Sequence, residues 1–315
     1  MLRLIVNRLL LGVLTLFAVS ILIFVCTEIL PGDVASAVLG QGATPEALVI
    51  FRKELGLDIP AYLRYWNWLV GALQGDLGVA LTNKRVIVDE VLPRLGNTLF
   101  LAGYAALIAI PLAVGLGIFS AINEGQLSDR LSNIVTLVAI SLPEFFIAYL
   151  LIIAMAVHVD WFPSLSTVTP GMPLTERIYQ STLPAITLTL LVAAHMLRMT
   201  RSSVLAVMST PYIEMAFLKG AKRQRVITRH ALPNAAAPII TVIALNLAYL
   251  VVGVVVIEAV FVYPGLGQLM VDAVSKRDVP VIQACGLVFA MVFVLLNTLA
   301  DVLVILVNPR LRHQR

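Results

Sequence analysis

Six long apolar runs alternate with polar segments along the 315 residues, at roughly 9–30, 98–122, 131–157, 183–208, 238–260 and 281–307. Each has about the 20 residues that a helix needs to cross a bilayer core of about 30 Å. Lipid offers no partners for backbone N–H and C=O groups, so runs of this kind predict helices that satisfy those groups internally. The pattern therefore predicts an all-α polytopic membrane protein with six transmembrane helices. The first run has a rival reading as a signal peptide, because Ala35-Ser36-Ala37 offers the small residues of a cleavage site. Its length favours a retained helix. Pro111, Pro143 and Pro184 fall within the runs and fit either irregular helices lining a path or ordinary packing features.

The polar segments differ in character. Residues 31–96 carry Pro31-Gly32-Asp33 and a bunch of aromatics, Tyr62, Tyr65, Trp66 and Trp68. Short helices are predicted at 44–55 and 61–73, the second lying on the membrane surface or packing a small external unit. The loop 209–237 is the most basic: Arg201, Lys219, Lys222, Arg223, Arg225 and Arg229 lie in it or just before it, opposed only by Glu214. Thr210 and Pro211 suit a helix start, and Glu214 sits near the positive end of that helix dipole. Ile213, Ala216 and Phe217 fall at helical spacing on one face, and Gly220 can end the helix. A second short helix is predicted over 222–231, interrupted at Leu232-Pro233. Two short helices with a part-apolar, part-basic surface describe a docking surface.

Composition agrees. The chain is 60% hydrophobic and 13% charged, with a mean hydropathy of +0.96, outside the soluble globular range. The positive-inside rule puts the basic loop in the cytoplasm, and Arg3, Arg8, Arg310, Arg312 and Arg315 put both termini there. The turn at 123–130 dissents, because Glu124 and Asp129 outnumber Arg130. The net charge of +4 follows this topology and is no nucleic-acid footprint. The organisation expected is an N-terminal transmembrane helix (1–30), an external segment (31–96), a five-helix core (97–307) containing the loop 209–237, and a cytoplasmic tail (308–315).

Catalytic chemistry is not visible. Lys219-Gly220-Ala221 does not make a phosphate-binding loop, and there is no HExxH or Gly-x-Ser-x-Gly. Cys26 and Cys285 form no metal-binding spacing. The reading is a non-enzyme without cofactor or metal; any ATP hydrolysis belongs to another chain. Ionisable residues within spans are costly and mark function by default. They are Glu144, His195, Arg198, Glu258 and Asp301. Glu144, following Pro143 near the middle of its run, marks a translocation path. His195 reads as a proton relay or as a helix–helix hydrogen bond. The lack of a chain of acidic groups argues against a proton-driven secondary transporter.

Glu214-Met215-Ala216, Gly220 and Leu232-Pro233 resemble the EAA loop of ABC-importer permeases, with Met215 in place of an alanine and His230 where isoleucine is usual. Pro31-Gly32-Asp33, the stretch 55–81, Asn97-Thr98-Leu99 and Ser141-Leu142-Pro143 are similar to the dipeptide/oligopeptide/nickel permease family, B-type subunit. So are Glu258, Pro264, Gly265, Gly267 and Asp272 in the stretch 258–274, and Arg229-His230-Ala231-Leu232 with Asn234 matches that family's form of the loop. The resemblance implies a type I importer in the bacterial cytoplasmic (inner) membrane. Its partners would be a second related permease subunit, two ATP-binding subunits carrying ATP and Mg, and an external substrate-binding protein. It makes Ile213, Glu214, Ala216, Phe217, Gly220, His230, Leu232 and Pro233 the ATPase-coupling residues, with Ile213 and Phe217 as apolar anchors. Cargo would be short peptides, with nickel chelates or oligosaccharides as the alternative by the same mechanism. A secondary transporter working without an ATPase is the remote alternative.

Overall fold

The computed structural model describes residues 2–29 and 58–307, with a few isolated positions between 44 and 53. Pro31, Gly32, Asp33, most of the helix expected at 44–55 and the tail 308–315 lie outside the described residues. The helices are α1 (Leu2–Glu28), α2 (Ala61–Leu73), α3 (Ile87–Ile122), α4 (Leu127–Ser141), α5 (Glu144–Leu151), α6 (Leu174–Met208), α7 (Pro211–Leu218), α8 (Arg223–Val226), α9 (Leu232–Phe261), α10 (Leu266–Lys276) and α11 (Val279–Val307). Among the described residues, β-structure is confined to one isolated bridge, Val79 with Val86.

Among the described residues, five stretches are helical, long and apolar enough to cross a bilayer; two further pairs pass the same test as bent units, the end of α9 with α10 at 77° and α4 with α5 at 105°. That bend corrects the single helix expected at 131–157. Its cause is local. Pro143 has no N–H and disfavours helical geometry in the residue before it, and Leu142 is extended at φ −88°, ψ 137°. The chain then continues from α5 as a π-helical turn, Ile152–His158. Two other boundaries move outward: α3 starts at Ile87 and α6 at Leu174, well before their apolar cores. The 35 residues of α6 give about 52 Å of helix at about 1.5 Å per residue, so its first turns stand clear of the hydrocarbon.

The centre is built from α3, α6 and α9. Helices in lipid gain little from the hydrophobic effect and associate through close packing, for which small residues are suited. Accordingly α3 buries Ala102, Ala105, Ala106, Ala109 and Ala113. At Gly117 an added methyl would lie only 2.9 Å from the Leu197 carbonyl oxygen on α6. Larger residues, Leu101, Leu183, Leu188, Leu250, Phe261 and Tyr263, fill the end away from the basic loop. α1 lies to one side against α11, joined by an Arg8–Asp301 ion pair of 2.9 Å and by Gln283 donating to Thr27 Oγ1 at 2.8 Å. Its other face, from Leu9 to Leu22, is apolar and exposed, as a lipid-facing helix requires. α2 packs on α1: Phe24 meets Tyr65 edge-on at 5.4 Å, Ser20 hydrogen-bonds the Tyr65 hydroxyl at 2.9 Å, and Arg64 pairs with Glu28. Tyr65 and Trp68 thus pack on α1, while Tyr62 and Trp66 stay exposed.

Candidate functional site

The basic loop folds around a small core of its own. α7 starts with Pro211 at the first turn after an extended Thr210, as the sequence predicts, although Thr210 turns its hydroxyl back to the Val207 carbonyl (2.6 Å) instead of capping. α7 ends in a Schellman motif: Gly220 N–H bonds the Phe217 carbonyl (2.9 Å) and Ala221 N–H bonds the Ala216 carbonyl (3.2 Å). That geometry needs a left-handed residue, and Gly220 supplies it at φ +78°. Ile213, Val226 and Ala231 are fully buried together, with Ala216, Ala221 and Met208 packed around them. This corrects the picture of Ile213 and Phe217 as paired outward anchors. Ile213 is the loop's internal pin, whereas Phe217 is 39% and Leu218 76% exposed. Tyr212, Met215, Phe217 and Leu218 form the accessible apolar surface. Lys219, Lys222, Arg225, Arg229 and Glu214 are exposed around it.

Beyond α8 the chain passes through a π-helical turn, Ile227–Ala231, directly into α9. Leu232-Pro233 therefore opens a long helix instead of breaking a short one. Pro233 falls in the first turn of α9, where the missing N–H costs least. His230 is held by its carbonyl: the Tyr212 hydroxyl donates to it, and Asn234 Nδ2 donates to it at 2.7 Å and to Tyr212 Oη at 2.8 Å. α7 is thus tied to the start of α9, and two residues join it to the end of α6.

At the opposite end, motifs far apart in sequence meet. Glu258 is fully buried near the end of α9. Its carboxylate accepts from the Thr98 hydroxyl (2.6 Å), Gly267 N–H (2.7 Å) and Gln268 N–H (3.2 Å), so it caps the N-terminus of α10. Thr98 Oγ1 in turn accepts Leu266 N–H at 2.8 Å, and Asn97 donates to the Pro264 carbonyl at 2.8 Å. The glycines are there for close approach: a methyl on Gly265 would sit 2.0 Å from Glu258 Oε1, and one on Gly267 2.6 Å from Val255 Cα. Asp272 receives Gln268 Nε2 at 3.1 Å, within α10. This knot bends α9 against α10 by 77°. Nearby, Asp278 accepts both the N–H and the hydroxyl of Thr82 at 2.9 Å, a pairing that sequence spacing gives no sign of.

Between these ends lies a cavity of about 390 Å³, lined by Glu144, Leu188, His195, Asn246, Tyr249 and Gly253 among others. A second, of about 410 Å³, continues toward the basic end past His195, Arg198, Ser202 and Ser203. The in-span ionisable residues now divide. Glu258 is capped and Asp301 is paired, whereas Glu144, His195 and Arg198 have neither ion pair nor hydrogen bond among the described residues. Pro143 sets the start of α5 and so carries Glu144 to the cavity wall.

Comparison with known proteins agrees with this architecture. A family model described as the binding-protein-dependent transport system inner membrane component matches residues 113–313, and a companion model for the family's N-terminal part matches residues 1–102. The chain belongs to this family. It is an ABC importer permease of the dipeptide/oligopeptide type. The glutathione transport system permease protein GsiC of Escherichia coli is 37% identical over 314 residues, covering 100% of both chains. That of Shigella boydii is 36% identical over the same length and coverage. A solved inward-facing structure of the MetNI methionine ABC transporter shares the permease fold at a TM-score of 0.55 and 17% identity, covering 70% of this chain and 96% of that one. An ABC permease is a multi-pass membrane protein, and the exposed apolar faces of α1 and α4 fit that setting.

Proposed function

We propose that this permease forms one half of the translocation path of a bacterial inner-membrane importer for short peptides, and that α7 is where ATPase motion enters it. In this reading the chain has six spans with both termini in the cytoplasm and pairs with a second related permease. Two ATP-binding subunits, carrying ATP and Mg, engage the loop 209–237 from below. An external binding protein delivers cargo to the opposite end. The glutathione permeases, which resemble this chain along its whole length, support a short-peptide cargo.

The observation that carries the reading is the construction of α7. It presents Phe217, Met215 and Leu218 outward while Ile213 pins it from behind. Exposed apolar anchors ringed by charge are what a helix needs to seat in a partner's groove. The pin and the Tyr212–His230–Asn234 bonds make α7 rigid with the ends of α6 and α9. Those two helices line the central cavity, so displacing α7 changes the cavity's width.

The test is peptide uptake by the reconstituted complex. Gly220→Pro and Glu214→Lys are expected to leave ATP hydrolysis running while uptake falls at least about tenfold, because proline fixes φ near −65° where +78° is needed. Phe217→Ala with Leu218→Ala is expected to weaken ATPase association about tenfold. Wild-type uptake and assembly in all of them would refute the reading.

A further inference from the structure

Between the two ends of this permease, charge that is not cancelled is concentrated along one open lane, where His195 and Arg198 are exposed on this chain and Glu144 is half-buried. Asp129 is spent on Arg201, Asp301 on Arg8 and Glu258 on the α10 N-terminus. Glu144, His195 and Arg198 are left without partners among the described residues, and all three line the two adjoining cavities, which share His195 and Met199. An unpaired ionisable group in a membrane span is costly unless it faces a water-filled path or meets a ligand there.

The lane is ordered by sign. α6 runs toward the basic end and α9 away from it. Glu144 sits by Gly253, where a methyl would lie 3.9 Å from its Oε1. Arg198 lies with Val242, eleven residues nearer the basic end along α9, or about 16 Å of helix. A carboxylate therefore stands on the outer side, an imidazole in the middle and a guanidinium on the inner side. A three-residue peptide spans about 10 Å when extended, and the two long side chains reach across the remainder.

We infer that this lane is a transient binding site for the two free termini of a zwitterionic peptide, Glu144 taking the α-ammonium and Arg198, next to His195, the α-carboxylate. Cargo then crosses carboxylate first. The leucines and Tyr249 between them offer an apolar wall to side chains without selecting any one. The inference rests on the peptide-importer reading above and deepens it.

The test uses the full complex with its binding protein in proteoliposomes. Three forms of one tripeptide serve as probes: free, N-acetylated and C-amidated, each compared only where the isolated binding protein still holds it. The wild type is expected to import the free form about tenfold faster than either blocked form. Glu144→Gln is expected to remove the penalty for N-acetylation and leave that for amidation, Arg198→Gln to do the reverse, and Glu144→Asp to restore discrimination in part. Equal loss for all three probes would overturn the inference and assign the charges to contacts with the second permease. Unchanged ratios in both variants would also overturn it while leaving the importer reading intact. A wild-type complex with no ATP-dependent uptake of any probe would remove both.

Discussion

Asp129 and Arg201 show why charges counted along a sequence mislead. The turn at 123–130 looks net acidic, against the topology that the other segments agree on. In the structure Asp129 is buried and receives Arg201 through two bonds of 2.7 and 2.9 Å, with further donors in Ser120 (2.6 Å), Gly125 N–H (3.0 Å) and Asn133 (3.0 Å). It cancels a cation of the neighbouring basic segment, so neither enters the topological count. Removing one partner of such a pair strands the other. Asp129→Asn is expected to cost about 3 kcal/mol and Asp129→Leu with Arg201→Met less than either alone, as read by thermal unfolding of the detergent-solubilised protein. Gly265→Ala is expected to cost about 2 kcal/mol or more by forcing Glu258 off the α10 N-terminus. Gly115→Ala, whose added methyl meets nothing within 4 Å, is expected to be neutral to about 1 kcal/mol stabilising. A Gly265→Ala protein as stable as its Gly115→Ala control would disprove the close-approach account.

For single elements, the start and stop of α7 were legible because capping residues act locally. Pro211, Glu214 and Gly220 each mark a position that chain-local sterics and dipoles decide. Which side of α7 faces outward was not legible. Ile213 and Phe217 share a face by spacing, yet α8 and the π-helical turn cover only the first of them, and that packing is non-local. The same holds at Pro143: a proline signals a break, but the 105° between α4 and α5 comes from what each helix packs against. Gly220→Ala isolates the local part. A β-carbon at φ +78° costs about 1–2 kcal/mol, so partial uncoupling of about two- to threefold is expected, milder than with proline. ATP consumed per peptide imported measures it; a stoichiometry equal to wild type would show that the helix end is not under strain in the working complex.

Across the whole molecule, the sequence carried the membrane class and the order of the elements, since both follow from runs of apolar residues. It did not carry the joins. Asn97-Thr98 and Pro264-Gly265 were each recognisable as patches of a family pattern, and only the fold brings them within 2.8 Å. The proposed topology has a direct check: cysteines placed at Lys222 and at Thr169 are expected to react with an impermeant maleimide only from the cytoplasm and only from outside, respectively. Labelling of both from the same side would overturn the six-span arrangement. The Thr98–Glu258 bond also has a consequence for how the chain is made. Its partners are separated by 160 residues, which a ribosome takes about 10–30 s to add. Through that interval α3 is already synthesised, with the Thr98 hydroxyl still lacking its carboxylate. The end of the bundle away from the basic loop is thus finished by late docking of α9 and α10 and not by local folding, so chains stalled before Glu258 are expected to be cut by a protease more readily than the finished permease.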